Sequence, residues 1–237
     1  MKFLLGLFQY LRSSVLFNPA WVSECKLRHE IESIIKRIAP NNSSKWLDVG
    51  CGLRPYESYF PLGVYVGVDV ESSGRDDTLK APDYFYDGKV LPFQNNSFDG
   101  VICTQVLEHV PDPRGVLSEI YRVTNVGGEL ILSLPFVWQE HEEPYDYFRF
   151  TSFGITELLK QAGFEVNSII KDTGAIETLV ATLNVYLMHN CVFNSRFFGR
   201  LIALLVCFPL QMFALISQKI LPDKGQLYLN LIIYAKK

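Results

Sequence analysis

The sequence predicts a doubly wound α/β sheet, and three observations carry that prediction. The first is an apolar run into a glycine turn, Trp46-Leu47-Asp48-Val49-Gly50-Cys51-Gly52. The second is another apolar run about 20 residues later, Val66-Gly67-Val68-Asp69-Val70, closing on an acid. The third is the alternation of further apolar runs with helical patterns as far as residue 170. Strands buried on both faces read as continuous apolar runs, and crossover helices supply the cover. In such sheets the ligand lies beyond the carboxyl ends of the strands. Glycines there let backbone approach the ligand without a Cβ in the way. An acid ending the second strand is placed to accept from two ribose hydroxyls.

The elements follow in chain order. Residues 1–17 are rich in Leu and Phe, with Lys2, Gly6, Gln9 and Ser13 on one stripe, which predicts an amphipathic helix. Gln9 and Arg12 interrupt its apolar run and no small-residue cleavage site follows, so a helix over the active site or on a membrane surface is expected rather than a secretion signal. A second helix is predicted over about 21–38, with Leu27, Ile31, Ile34, Ile35 and Ile38 at its apolar positions and Pro40 ending it. Residues 1–44 are thus read as N-terminal helices and 45–237 as the main domain. Strands are expected near 46–49, 64–69, 84–86, 100–103, 129–134 and 165–170, with a last strand at 227–235. Helices are expected at 115–123 and 152–161, the latter closed by Gly163.

An insertion at about 172–226 separates the sixth and last strands. Its uninterrupted apolar part, 201–216, would be about 24 Å long as a helix, short of the roughly 30 Å hydrocarbon core. Pro209 would kink it and Gln211 sits near its middle. A buried or interfacial helix is therefore expected over a span. Segments 1–17 and 197–217 stand either as a cap packed upon itself or as a peripheral membrane contact, and the pattern does not separate the two.

The glycine loop discriminates between nucleotide ligands. A pyrophosphate wants G-x-G-x-x-G at a helix N-terminus. Here Pro55 stands near the third glycine position and removes an N–H donor, while Asp48 would repel a phosphate. The loop suits a zwitterion carrying an adenosine without phosphates, with Asp48 accepting from its ammonium directly or through water. A nicotinamide oxidoreductase is disfavoured on the same grounds.

With these residues in view, the chain resembles the class I S-adenosylmethionine-dependent methyltransferases, whose first motif is an acid followed by G-x-G. The run Tyr86-Asp87-Gly88-Lys89-Val90-Leu91-Pro92-Phe93, the strand entry Ser97-Phe98-Asp99, the string Gln105-Val106-Leu107-Glu108-His109, and Val126-Gly127-Gly128-Glu129-Leu130 extend the resemblance over residues 45–135. It implies a Rossmann-like seven-stranded sheet with an antiparallel last strand. It also implies S-adenosyl-L-methionine as cofactor, held by Asp48, Gly50, Cys51, Gly52, Asp69, Val70, Asp87, Gln105 and His109. Asp87 would face the adenine amino group, and Leu107-Glu108-His109 would lie beside the cofactor.

Methyl transfer from a sulfonium asks the protein chiefly to position the nucleophile and exclude water. A base is needed when the acceptor is a poor nucleophile, such as a sugar hydroxyl. The acceptor-side candidate is residues 135–151, where aromatics alternate with His, Glu, Asp and Arg, suiting a polyhydroxylated ring. His141 is the first candidate base because imidazole titrates near neutrality, with Glu142, Glu143 and Tyr145 as alternates. Blander readings stand beside these: His141 as a solvated surface residue, His109 as a pocket wall, Asp99 as a turn anchor, and Arg149 as partner of Glu142 or Asp146.

The net charge of −3 and the lack of a basic stripe argue against nucleic acid. Five cysteines without C-x-x-C spacing read as reduced thiols, with no zinc site among them. The expected activity is methyl transfer to a small or lipid-linked acceptor, first a glycan hydroxyl. An isoprenoid quinone or other lipid is the alternative acceptor, and a catalytically silent interaction subunit the alternative role. The expected place is the cytoplasm, at the inner membrane face if the apolar segments touch lipid, and a homo-oligomer stays open.

Overall fold

The computed structural model describes residues 18–73, 80–190 and 196–237. The amphipathic segment expected at 1–17 lies outside them, as does Cys191. The chain forms two compact units: His29–Lys171 with Asn230–Lys237, and a second built from Asp172–Leu229 together with residues up to Arg28.

The first unit is a seven-stranded sheet. Its strands are β1 (Trp46–Val49), β2 (Tyr65–Val70), β3 (Tyr84–Tyr86), β4 (Phe98–Thr104), β5 (Thr124–Pro135), β6 (Glu165–Lys171) and β7 (Asn230–Lys236), in the order β3-β2-β1-β4-β5-β7-β6. The first five pair in parallel, and β7 inserts antiparallel between β5 and β6. The order reverses at β1/β4, which is where a ligand crevice opens in a doubly wound sheet. Helices α1 (Trp21–Ile38), α2 (Pro113–Val123) and α3 (Ser152–Ala162) complete the described regular structure up to β6.

Local chemistry accounts for the boundaries. Asp112 caps α2 by accepting from the Gly115 amide, and Pro113 occupies the first turn, where its missing N–H costs nothing. Thr151 caps α3, and Gly163, at φ 103°, ends it in the left-handed conformation. Strand β5 starts five residues before the expected 129, because Thr124 pairs with Phe98 ahead of an irregularity at Phe98/Gly100. The core is the sheet itself: Leu47, Val49, Val101, Ile102, Leu130 and Ile131 are fully buried, each burial contributing about 1.5–3 kcal/mol. Trp46 lies flat against Gly100, where a Cβ would come within 2.4 Å of its ring.

The second unit holds α4 (Ala175–Asn190), α5 (Arg196–Ile202), a π-helical turn (Ala203–Cys207) and α6 (Phe208–Ile220). From Phe198 to Ile220 these run on as one apolar helix of 23 residues, with mean hydropathy 2.0 over its 18-residue apolar stretch. Pro209 does not end that helix. It sits in the first turn after the wide π turn, which absorbs the misfit of its ring. Gln211 is buried inside the unit, its Oε1 accepting from the Val22 amide and its Nε2 donating to the Asn18 carbonyl. Asn184 donates to the carbonyls of Cys207 and Pro19. Lys26 pairs with the buried Glu177 at 2.6 Å. The outer faces are apolar: Leu179, Leu183 and Tyr186 on α4 and Leu205, Phe213, Ile216 and Ile220 on the long helix are all exposed.

Candidate functional site

The site is built at the carboxyl ends of β1, β2 and β4. As β1 ends, Gly50 and Gly52 take positive φ of 71° and 49°, and the amides of Gly50 and Cys51 donate to the Val68 carbonyl. A Cβ on Gly50 would lie 2.4 Å from Val106 Cγ2, so the close approach itself demands glycine. Asp69 ends β2 with its Oδ2 accepting from the Gly52 amide at 2.9 Å, tying the acid to the loop. Lys80 Nζ stands 4.0 Å from its other oxygen. Sequence reasoning missed Lys80; it lies 11 residues beyond Asp69, and no spacing rule places it there.

Asp48 lies beneath the loop rather than on the cavity wall. It is 1% exposed; Tyr65 donates its hydroxyl to Oδ2, and Oδ1 has no hydrogen-bond partner. Burial pushes its carboxyl up to about 7, the Tyr65 hydrogen bond opposing and the nearby Asp69 charge adding to the rise. Cys51 is likewise pushed up to about 12 by burial and by the Asp48 and Asp69 charges, so its thiol is no nucleophile at neutral pH.

A cavity of about 1270 Å³ opens above these residues, lined among others by Gly50, Gly52, Asp69, Tyr86, Val106 and His109. That exceeds the ~300–1,000 Å³ usual for one ligand, leaving room for a second molecule. Among the described residues its wall carries the acids Asp69, Glu71, Asp87, Asp112 and Glu142 against Lys80 and Lys89, which favours a cationic ligand over a phosphate. Cys51, Val70 and Gln105 also line it. Asp87 is exposed, and its Oδ1 accepts from the amides of Lys89 and Val90; those bonds, Val90's foremost, hold its carboxyl below the usual range. Gln105 is left-handed at φ 54° and donates to Ser133 Oγ.

At the far rim the loop after β5 meets the turn Leu107–His109. The amides of Tyr147 and Phe148 donate to the Glu108 carbonyl, bringing Glu142, Tyr145 and Tyr147 into the cavity wall. His109 Nδ1 lies 3.0 Å from the Tyr145 carbonyl. Burial lowers its pKa, against the opposing pull of Glu142. His141 is beside it, ring centroids 4.8 Å apart and edge to face, with Nδ1 3.1 Å from Asp146 Oδ2. His141 is not itself among the lining residues. Asp146 is gripped by both Arg149 nitrogens at 2.6 Å and held down at about 2, chiefly by that hydrogen bonding. Of the two partners weighed for Arg149, Asp146 is therefore the one it takes. Asp99 anchors the entry to β4, accepting from the Lys45 amide and from Asn125.

Residues 47–132, from the first strand through the fifth, match the family model described as a methyltransferase domain. Over those residues the first unit is similar to methyltransferase domains. The sheet extends beyond the matched segment to β6 and β7. A demethylmenaquinone methyltransferase of Geobacillus sp. is 30% identical over 136 residues, half of this chain and 58% of that protein. A thiol S-methyltransferase of Rattus norvegicus is 28% identical over 149 residues, 58% of this chain and 59% of that one. The chain thus spans under two thirds of either relative. Among solved structures, the phosphoethanolamine N-methyltransferase 2 of Haemonchus contortus, in complex with S-adenosyl-L-methionine, superposes with a TM-score of 0.53 at 17% identity, covering 97% of this chain and 60% of that one.

Proposed function

We propose that the chain is an S-adenosylmethionine-dependent methyltransferase that modifies a hydroxyl, first that of a small or lipid-linked glycan. The observation supporting this is the joining of two half-sites in one cavity: a phosphate-averse glycine loop with Asp69, and a rim carrying His109, against which His141 packs from outside the lining. The residues fit the cofactor. Asp69 offers a carboxylate to ribose hydroxyls, Gly50 and Gly52 keep the loop open, and the acidic wall suits a ligand bearing a sulfonium and an ammonium. When bound, the cofactor supplies an electrophilic methyl group.

The chain's own residues would do the remaining work. Apolar Val106 and Val110 exclude water from the wall. Tyr145 and Tyr147, part exposed at the rim, offer faces for a sugar ring. On this reading the His109–His141 pair would activate the acceptor hydroxyl, with burial favouring neutral His109 and Asp146 orienting His141. A quinone or other lipid acceptor is the second reading, favoured by the exposed apolar faces of the second unit, which would lie on a membrane surface. On either reading the protein would work in the cytoplasm, at the inner face of the membrane where the acceptor is a lipid or lipid-linked.

The test is turnover of S-adenosylmethionine to S-adenosylhomocysteine with polyprenyl-linked saccharides and, separately, demethylmenaquinone, with mass spectrometry of the product. Methylated saccharide supports the first reading, and methylated quinone replaces it with the second. S-adenosylhomocysteine binding without turnover on any acceptor supports a silent subunit.

A further inference from the structure

The rim holds more than a base. Glu108, His109 and His141 each present a ligand atom within 4.8 Å of the others, and Glu142 Oε2 adds a carboxylate 3.7 Å from His109 Nε2. Two ligands on opposite sides of an ion at ~2.1 Å lie about 4.2 Å apart, so small side-chain rotations would close this set on a cation.

The orientation of the imidazoles is the stronger argument. A carbonyl can only accept, so the Tyr145 carbonyl facing His109 Nδ1 fixes the ring proton there and leaves a lone pair on Nε2. That Nε2 is buried and has no hydrogen-bond partner. His141 Nδ1 faces two acceptors, Asp146 Oδ2 and the Gln139 carbonyl, so its Nε2 is likewise left as a lone pair. Metal-binding histidines are held in this way, one ring nitrogen donating to a carboxylate or backbone carbonyl while the other ligates. Arg149 in turn locks Asp146. Glu142 holds a left-handed backbone at φ 54°, a conformation that costs a non-glycine residue about 1–2 kcal/mol and is found where function needs a side chain aimed.

We propose that Glu108, His109, His141 and Glu142 form a binding site for a divalent transition-metal ion of the Zn²⁺ type at the acceptor end of the cavity. Two imidazoles with two carboxylates suit Zn²⁺, Co²⁺, Mn²⁺ or Fe²⁺, whereas Mg²⁺ and Ca²⁺ prefer all-oxygen sets. Its role rests on the methyltransferase reading above and takes the place of an imidazole base. The ion would polarise the acceptor hydroxyl, whose proton would pass to solvent water as its oxygen takes the methyl group from the sulfonium and the thioether leaves. The binding itself does not depend on that reading.

The experiment is titration of metal-stripped full-length protein with Co²⁺, followed by its visible d–d absorption, with S-adenosylhomocysteine affinity measured on the same samples. The expected result is one saturable site, displaced by Zn²⁺ and weakened at least about 100-fold by His109→Gln or His141→Gln, since even the outer-shell change Asp146→Asn should weaken it about 10- to 100-fold. The variants His29→Gln and His189→Gln, outside the cluster, should bind as wild type. Circular dichroism and retained S-adenosylhomocysteine binding identify variants that fold. No saturable site in wild type overturns the proposal, as does a site unchanged in a folded His109 or His141 variant. Failure of the cofactor reading would show separately, as absent S-adenosylhomocysteine binding with the Co²⁺ spectrum intact.

Discussion

Replacing Asp69 with asparagine would take a charge from the cavity wall while keeping a carbonyl oxygen for the Gly52 amide, 2.9 Å away. The loop anchor therefore survives and the measurement isolates the ligand's share. A hydrogen bond to a charged group contributes about 1.5–3 kcal/mol, and a ribose offers two hydroxyls to one carboxylate. Asparagine keeps one neutral acceptor, so a loss of about 1.4–3 kcal/mol is expected, or roughly 10- to 100-fold in Kd. A second effect has the same sign: Lys80, 4.0 Å from the lost carboxylate, would face a cationic ligand with its charge less compensated. Asp69→Ala also orphans the Gly52 amide and should cost about 100-fold or more. The assay is calorimetric titration with S-adenosylhomocysteine. Affinity of Asp69→Asn within about twofold of wild type would refute the ribose assignment, because no placement of two donors on that carboxylate is so tolerant.

Three further outcomes are expected. Gly50→Ala combines a left-handed backbone with an overlap at Val106; a loss of about 2 kcal/mol would lower Tm by roughly 4–8 °C, and adding Val106→Ala should return only the overlap's part. Full recovery in the double variant would show that the backbone angle carries no cost. Asp48 has its carboxyl raised from 3.8 to about 7, so the folded state holds a proton the unfolded state has released; its favourable share is complete below about pH 4 and is lost as pH rises through 7. Asp48→Asn should then gain on wild type in urea midpoint between about pH 5 and pH 8, and a constant gap would sink the assignment. Phe213→Glu with Ile216→Glu, both on exposed apolar positions, should reduce co-sedimentation with anionic vesicles at least about tenfold, each apolar side chain contributing about 1.5–3 kcal/mol of insertion; unchanged sedimentation would remove that face as a membrane contact.

Much of this was legible because it is local. The individual strands, the glycine turn and the acid near the end of β2 are each written within a dozen residues, where period and turn chemistry act. Gly163 announces the end of α3 in the same way. The antiparallel last strand came instead from the family resemblance. What escaped is what the fold brings together across distance. His109 and His141 lie 32 residues apart and become neighbours only when a loop amide reaches the Glu108 carbonyl. Asp48 read as a residue facing ligand, yet Tyr65, 17 residues on, holds it from below. In the apolar insertion, Gln211 looked like a blemish in a hydrophobic pattern. It satisfies the backbone of Asn18 and Val22, as Asn184 satisfies the Cys207 carbonyl of the π turn, and no composition rule announces either.

The register of the last strands has a consequence for how such a chain can change. Lys171 and Leu231 are paired partners across β6 and β7, so the chain leaves the sheet and re-enters it at neighbouring positions. Whatever lies between those residues closes a loop whose ends the ladder already holds together, and lengthening a closed loop costs only about 0.6 kcal/mol per doubling. Segments of different size and chemistry can therefore be accommodated between these two positions with the pairing of β6 and β7 kept, provided that the partners Asn18, Pro19, Val22 and Lys26 change with them. The sheet is the constant frame, and the segment between its last two strands is a replaceable cassette.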